Sequence, residues 1–274
     1  MGRSAKPQGM IRRTAALALA LVLLLLGPAA TAQTRERVAF PSTDPSFQGQ
    51  LAALLYRPAG SGPFPAMILL HNCYGVQPFL DGYASWFVTQ GYAAIVVESF
   101  GPRHAKDCNA LPNLRLRAMD AYGALAYLRR RSDIDPVRIG VIGWSHGGGG
   151  AFLADSRRFS DDYSAGRPLR AVIGMYPVCL PDVQMIAAPL LVLQGAADDF
   201  SPPTECLGAV DRLNSDTVAA TMHVYPGVTH AFDNRTLQGK IQVDGVMHTI
   251  VYDAKAAQDA RERIREFLAR NFKE

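Results

Sequence analysis

Beyond residue 26 the 274-residue chain has no apolar run approaching the roughly 20 residues that a membrane-spanning helix requires. Cysteines are scarce. The four present contain no C-x-x-C pair, which argues against a zinc site built from them, and no metal or other cofactor is expected. No Gly-Lys-Ser/Thr follows the glycine cluster Gly147–Gly150, and no G-x-G-x-x-G follows the first strand, so neither a phosphate loop nor a dinucleotide fingerprint is read. Internal repeats and Gly/Ser- or Pro-rich linkers are also missing. Charged residues make up only 19% of the chain against 49% hydrophobic, a balance that excludes disorder because enough of the chain can be buried. The length suits one large α/β domain or two small ones.

What is present begins with an address. Arg3, Lys6, Arg12 and Arg13 precede an unbroken apolar run from Ala15 to Leu26, then Gly27-Pro28, then Ala30-Thr31-Ala32 before Gln33. A basic segment, a short apolar core and a small-x-small site form a secretory signal peptide, and the core is too short for a membrane anchor. Residues 1–32 are therefore expected to be cleaved, leaving 33–274 as the mature domain, exported to the periplasm or beyond and free of the membrane. The general and twin-arginine routes both remain open. The formal net charge of +4 belongs to this segment. Removing its four cations from the 28 basic residues leaves 24, equal to the 24 acidic ones. The mature domain thus carries no basic surplus, and no nucleic-acid partner is expected. Arg129-Arg130-Arg131 reads as a solvated helix end that favours the helix dipole there.

The mature sequence alternates short apolar runs with helical patterns. The runs are Leu51–Tyr56, Ala66–His71, Ala93–Glu98, Arg138–Gly143, Arg170–Tyr176, Leu190–Gln194 and Ala220–Tyr225. Several are nearly continuous Val, Ile and Leu, the mark of strands buried on both faces in a parallel sheet. Ala118, Tyr122, Leu125 and Leu128 recur at helical spacing, as do Ala257, Ala260, Ile264, Phe267 and Leu268 near the C-terminus. The expected fold is a single-domain, doubly wound, mostly parallel α/β sheet flanked by helices. Asp244-Gly245 predicts a hairpin turn between Lys240–Val243 and Val246–Val251, a small insert before the last helix. This topology places Cys73 and Cys108 in loops after neighbouring strands, and Cys179 and Cys206 after another neighbouring pair. In an oxidising compartment the expected disulfides are Cys73–Cys108 and Cys179–Cys206.

Chemistry enters where a strand turns into a helix. Gly143-Trp144-Ser145-His146-Gly147 follows the Arg138–Gly143 strand, and Ser145 is the one serine with glycine at both −2 and +2. This is a nucleophile elbow in its required context. The backbone N–H of His146, at the helix start, is placed to stabilise an oxyanion. The adjoining glycines are expected to serve close helix–sheet packing.

A serine hydroxyl needs a base, and the base needs an orienting acid. Of the histidines after the elbow, His223 lies within a strand and His248 within the hairpin. His230, just past the strand Ala220–Tyr225, is the expected base, at the strand end where α/β sheets place their sites. For the acid, Asp198 and Asp199 differ by one residue and periodicity cannot separate them. Asp233 is a weaker third choice, being close in sequence to His230. Arg103, in a loop on the active-site edge, is a candidate partner for a substrate carboxylate or a pin for its own loop. Tyr74 and Trp144 are candidates to line an acyl pocket or simply to pack.

From about residue 36 to the C-terminus the chain resembles the dienelactone hydrolase family of the α/β-hydrolase fold. The resemblance rests on Leu70-His71-Asn72-Cys73-Tyr74-Gly75, on Ser99-Phe100-Gly101-Pro102-Arg103, and on Arg138–Ser145. Gly195-Ala196-Ala197-Asp198 and Tyr225–Phe232 add to it. The family's G-x-x-D pattern implies Asp198 as the acid, and the resemblance implies the Cys73 backbone N–H as second oxyanion donor. Ser145 stands where the founding enzymes carry cysteine, which points away from the dienelactone itself and toward serine-esterase chemistry on a small ester or lactone. The alternatives are a peptidase or acyltransferase using the same triad, or a catalytically silent binding protein on this fold.

Overall fold

The computed structural model describes residues 1–2, 34–213, 218–243 and 245–273. The expected export segment, apart from residues 1–2, lies outside the described residues, as does Asp244 of the expected turn. From Gln33 onward the chain clusters as one compact unit.

The apolar runs form strands, as their composition requires. In chain order the strands are β1 (Thr34–Pro41), β2 (Gln50–Arg57), β3 (Phe64–Leu70), β4 (Ala93–Glu98), β5 (Ile134–Trp144), β6 (Val172–Met175), β7 (Leu190–Gly195) and β8 (Ala220–Tyr225). They form one sheet in the order β1-β2-β4-β3-β5-β6-β7-β8. From β4 to β8 every pairing is parallel, while β1–β2 and β2–β4 run antiparallel. The central strands β3, β6 and β7 bury nearly every residue, because helices cover both faces. β1 is an edge strand that buries only Phe40, and its charged sequence TRERVAFP carries no apolar run to announce it.

Helices α1 (Pro78–Thr89) and α6 (Ala254–Asn271) cover one face, with Tyr83 and Phe87 packing in the same cluster as Ile264 and Leu268. α2 (Leu114–Arg129), α3 (His146–Asp155) and α5 (Pro203–Leu213) cover the other, with Tyr122, Leu125, Phe152 and Val210 in its core. α4 (Arg157–Tyr163) follows α3. Side-chain caps fix the starts of three of these helices, and at α4 Ser156 Oγ accepts from Phe159 N–H at 3.4 Å. Asn113 accepts from Arg115 N–H at 2.9 Å, and Asp253 accepts from Lys255 and Ala256 N–H, both at 2.9 Å. The expected hairpin is present as β9 (Gly239–Val243) paired antiparallel with β10 (Val246–Ile250).

The glycines of α3 bring helix and sheet together. A Cβ on Gly147 would stand 2.3 Å from the carbonyl oxygens of Leu70 and His71, and one on Gly143 would stand 2.1 Å from the Gly147 oxygen. No larger residue fits at either position, so these glycines serve the turn rather than a ligand. The arginine run is less solvated than its composition implies. Arg129 donates to the backbone oxygens of Pro136, Ser164 and Arg167, and Arg131 pairs with Asp133 and Glu36. Only Arg130 of the three is exposed.

Both expected disulfides are formed. Cys73–Cys108 joins the loop after β3 to the loop after β4, and Cys179–Cys206 joins the loop after β6 to α5.

Candidate active site

Three strands end at one point. β5 delivers Ser145, β7 runs into Asp198, and β8 runs into His230. Ser145 has φ 53° and ψ −117°, a conformation that non-glycine residues rarely adopt. Two backbone bonds over-determine it: its N–H donates to Met175 O at 2.9 Å, and its carbonyl accepts from Gly149 N–H at 2.9 Å. The strain lifts Oγ off the sheet end toward His230.

His230 Nε2 lies 2.9 Å from Ser145 Oγ, and its Nδ1 lies 2.7 Å from Asp198 Oδ2. A carboxylate only accepts, so Nδ1 carries the proton and Nε2 is free to accept from the serine hydroxyl. The Asp198 carboxylate is buried and held on every side. Oδ1 accepts from Phe200 and Ser201 N–H at 2.9 Å each, and Oδ2 accepts from Gln194 Nε2 at 2.7 Å. The Phe200 ring stacks on the imidazole, centroids 5.0 Å apart.

The other acids fall elsewhere. Asp199 turns outward and sits 3.1 Å from His248 Nδ1 on β10. Asp233 is buried, but it faces away from the imidazole nitrogens. It accepts from Tyr83 OH at 2.7 Å, Trp144 Nε1 at 2.9 Å and Tyr176 OH at 2.7 Å. His223 stays in β8, 3.9 Å from Asp259.

For Arg103 and Trp144 the structure selects the scaffold reading over substrate contact. Arg103 is committed to its own scaffold: its guanidinium makes a double hydrogen bond to Asp120, at 2.8 and 2.9 Å, and a third to Ser99 O. Its side chain is 8% exposed, leaving nothing for a substrate carboxylate. Trp144 is fully buried, with its indole N–H on Asp233 and its ring against Tyr83 and Phe79. It packs the elbow from below and does not face the cavity. Tyr74, by contrast, is 43% exposed and lines a cavity of about 100 Å³ beside Ser145, together with Cys73, Tyr176 and Phe200. Leu237, Ile241, Val243 and Ile250 of the hairpin segment close its far wall.

His146 starts α3, and the first N–H groups of a helix have no partner within it. Its own imidazole is pushed down to about 4, chiefly by burial and then by the Arg117 charge, so it is neutral at physiological pH. His71, beneath the Cys73 loop, is pushed down to about 4 by the same two causes. Arg117 donates to both the ring and the carbonyl of His71, and so fixes the strand end that precedes Cys73.

Sequence reasoning missed Tyr176 and the role of Asp233. Tyr176, directly after β6, has φ 37° and sits edge-on to His230, centroids 4.7 Å apart. Its hydroxyl bond to Asp233 ties the base's neighbour to a residue three positions after the base. Burial and the Asp233 carboxylate push both the Tyr83 and Tyr176 hydroxyls well above their ordinary range, so they remain donors. The one signal in the sequence was Asp233 itself, an acid directly after the apolar Ala231-Phe232 pair.

Fold and site together define an α/β-hydrolase of the carboxylic ester hydrolase class. The family model described as "Dienelactone hydrolase family" matches residues 51–272, and the chain belongs to that family. A carboxymethylenebutenolidase of Pseudomonas putida is 26% identical over 250 residues, covering 82% of this chain and 93% of that one. A probable 2-oxo-3-(5-oxofuran-2-ylidene)propanoate lactonase of a Bradyrhizobium species is 23% identical over 203 residues, covering 66% of this chain and 78% of the relative. Among solved structures, a dienelactone hydrolase-like promiscuous phosphotriesterase from metagenomic libraries superposes with a TM-score of 0.72 at 18% identity, covering 88% of this chain and 100% of that one. A thermophilic esterase of Thermogutta terrifontis gives 0.64 at 16% identity, covering 85% of this chain and 92% of the other. At these identities the structural matches speak to the fold.

Proposed function

We propose that the mature chain hydrolyses carboxylic ester or lactone bonds through Ser145, His230 and Asp198, by way of an acyl-enzyme. The observation that supports this reading is His230, hydrogen-bonded to Ser145 Oγ on one side and Asp198 on the other. His230 Nε2 takes the hydroxyl proton as Oγ attacks the carbonyl carbon. Asp198 holds the imidazole in orientation and stabilises the imidazolium that forms. Negative charge collects on the former carbonyl oxygen, where the N–H groups of Cys73 and His146 receive it. The intermediate collapses, the imidazolium protonates the departing alkoxide, and the acyl group stays on Ser145. Water then repeats the sequence with the roles of base and acid returned to His230.

The relatives named for butenolide and furanone lactones support the bond class. Serine in place of cysteine raises the demand on the base, since a hydroxyl is far less acidic than a thiol. We also propose that residues 1–32 direct export and are removed between Ala32 and Gln33, which the two disulfides support.

Fluorophosphonate labelling tests the chemistry. The proposal expects one adduct, on Ser145, and none in Ser145→Ala. Ester hydrolysis surviving in Ser145→Ala, or a label that ignores Ser145, overturns it. An intact-mass measurement of exported protein tests the leader, with Gln33 as the expected first residue.

A further inference from the structure

The walls of the Ser145 cavity are largely aliphatic, aromatic and disulfide, with Asn72 and Asn109 as neutral polar residues. Among its described lining residues no Lys or Arg occurs, and the one carboxylate besides the triad's surroundings is Asp107. Asp107 is fixed in place, its Oδ1 accepting from Asn109 and Ala110 N–H at 3.0 and 3.1 Å. It stands close enough to Tyr74 that its charge, second to burial, pushes that hydroxyl's pKa up. The nearby arginines are occupied: Arg103 by Asp120, and Arg117, fully buried, by His71. Lys106, next to Asp107, is exposed and does not line the cavity.

Size restricts the occupant as much as charge does. A cavity of roughly 150 Å³ takes a benzene ring, and this one is about 100 Å³. Ile241 and Ile250 of the hairpin line it together with the serine. After the alcohol leaves, the acyl group is the part that stays attached to Oγ, so the space beside Oγ belongs to it.

Resting on the triad reading above, we infer that this enzyme is selective for esters of short, uncharged acyl groups, with Asp107 and the apolar hairpin wall as the residues that reject anionic and long acyl chains. This is a departure from the family relatives whose very name specifies a carboxymethylene-substituted butenolide. A carboxylate entering here would lose its water, meet no cation and face Asp107. Such unpaired burial excludes a substrate far more strongly than a missing methylene does.

The test compares initial rates by pH-stat for ethyl butyrate, monoethyl succinate, methyl ethyl succinate and ethyl octanoate. The mature protein should prefer ethyl butyrate over monoethyl succinate by at least about 100-fold in kcat/KM. Methyl ethyl succinate should recover about tenfold of that loss, since it removes the charge while its chain stays shorter than octanoyl. Ethyl octanoate should fall at least about tenfold below ethyl butyrate, and Ile241→Ala should narrow that gap. Asp107→Asn, which preserves the acceptor to Asn109, should raise the ratio of monoethyl succinate to ethyl butyrate about tenfold. Equal or better turnover of monoethyl succinate, or a ratio unmoved by Asp107→Asn, overturns the inference while leaving the triad intact. Activity retained in Ser145→Ala overturns the triad reading instead, so the two failures are distinct.

Discussion

The Tyr176 hydroxyl donates to Asp233 Oδ1 at 2.7 Å while the same ring stands edge-on to the His230 imidazole. Asp233 is thereby a buried anchor shared by the elbow, through Trp144, and by α1, through Tyr83. Removing the carboxylate leaves three buried donors without their acceptor, each costing about 1–3 kcal/mol. Asp233→Ala should therefore lose on the order of 3–5 kcal/mol, which for a domain of this size lowers the melting temperature by roughly 6–20 °C. Tyr176→Phe should lose only about 1–2 kcal/mol but also lower kcat, because the ring beside the base loses its tether. Calorimetry and ester kinetics on the two variants check this, and a Tyr176→Phe enzyme of unchanged kcat would limit Asp233 to stability.

Asp198 and Asp199 lie side by side in sequence and apart in surroundings. Asp198 is buried with three hydrogen bonds beyond His230, whereas the Asp199 side chain is 54% exposed beside His248. Asp198→Asn would present an amide to Nδ1 and favour the wrong imidazole tautomer, so kcat should fall about 10⁴-fold. Asp199→Asn should change kcat less than about threefold. Comparable losses in both variants would remove Asp198 from the orienting role.

Particular residues show what was legible beforehand. Strands β3, β4 and β7 announced themselves because burial on both faces leaves an unbroken apolar run. The placement of Ser145 and His230 was legible because it depends on local geometry, a strained turn and a strand end. The Asp233 hub was not, because its donors lie 57, 89 and 150 residues away and meet only in the folded sheet. Arg103 left two readings open for the same reason, and the loop pin is the one the structure shows. A guanidinium on the active-site edge reads as a free ligand until Asp120, 17 residues on, turns toward it from α2. β1 was missed because an edge strand with one buried residue carries no periodic signal.

Asp155, the last residue of α3, is a buried carboxyl group with one oxygen on Ala188 N–H and the other, Oδ2, without a partner among the described residues. Burial pushes it up to about 8 against the opposing pull of the Ala188 and Ala187 N–H groups, so it is mostly protonated at neutral pH. Its folded pKa lies above the unfolded value near 3.8, so its contribution to stability is full below about pH 4 and is lost as pH rises toward 8. Asparagine mimics the neutral acid and cannot ionise. Asp155→Asn should therefore gain on the parent by up to about 1.4 kcal/mol per pH unit between pH 4 and 8, with the gain levelling off above. Melting temperatures at pH 5, 7 and 9 check the sign, and a gap that shrinks with rising pH would refute it.

The two disulfides should separate by their effects on catalysis. Cys73–Cys108 lies at the cavity, and Cys108 N–H also donates to Cys73 O at 3.1 Å, so this bridge holds the loop that carries the proposed oxyanion donor. Cys179–Cys206 is buried between the β6 loop and α5, and neither cysteine lines the Ser145 cavity. Both close loops of similar length, with sequence separations of 35 and 27 residues, so the chain-entropy model assigns each about 3–4 kcal/mol. Replacing either pair with serines should then cost comparable stability. Only the Cys73→Ser/Cys108→Ser protein should lose kcat, by about tenfold or more, since an oxyanion donor displaced by a fraction of an ångström forfeits much of its stabilisation of the transition state. Measuring kcat below the lowered melting point keeps unfolding out of the comparison. If both pairs reduced kcat alike, the effect would reflect general loosening of the fold, and the Cys73 loop would have no special claim on the oxyanion.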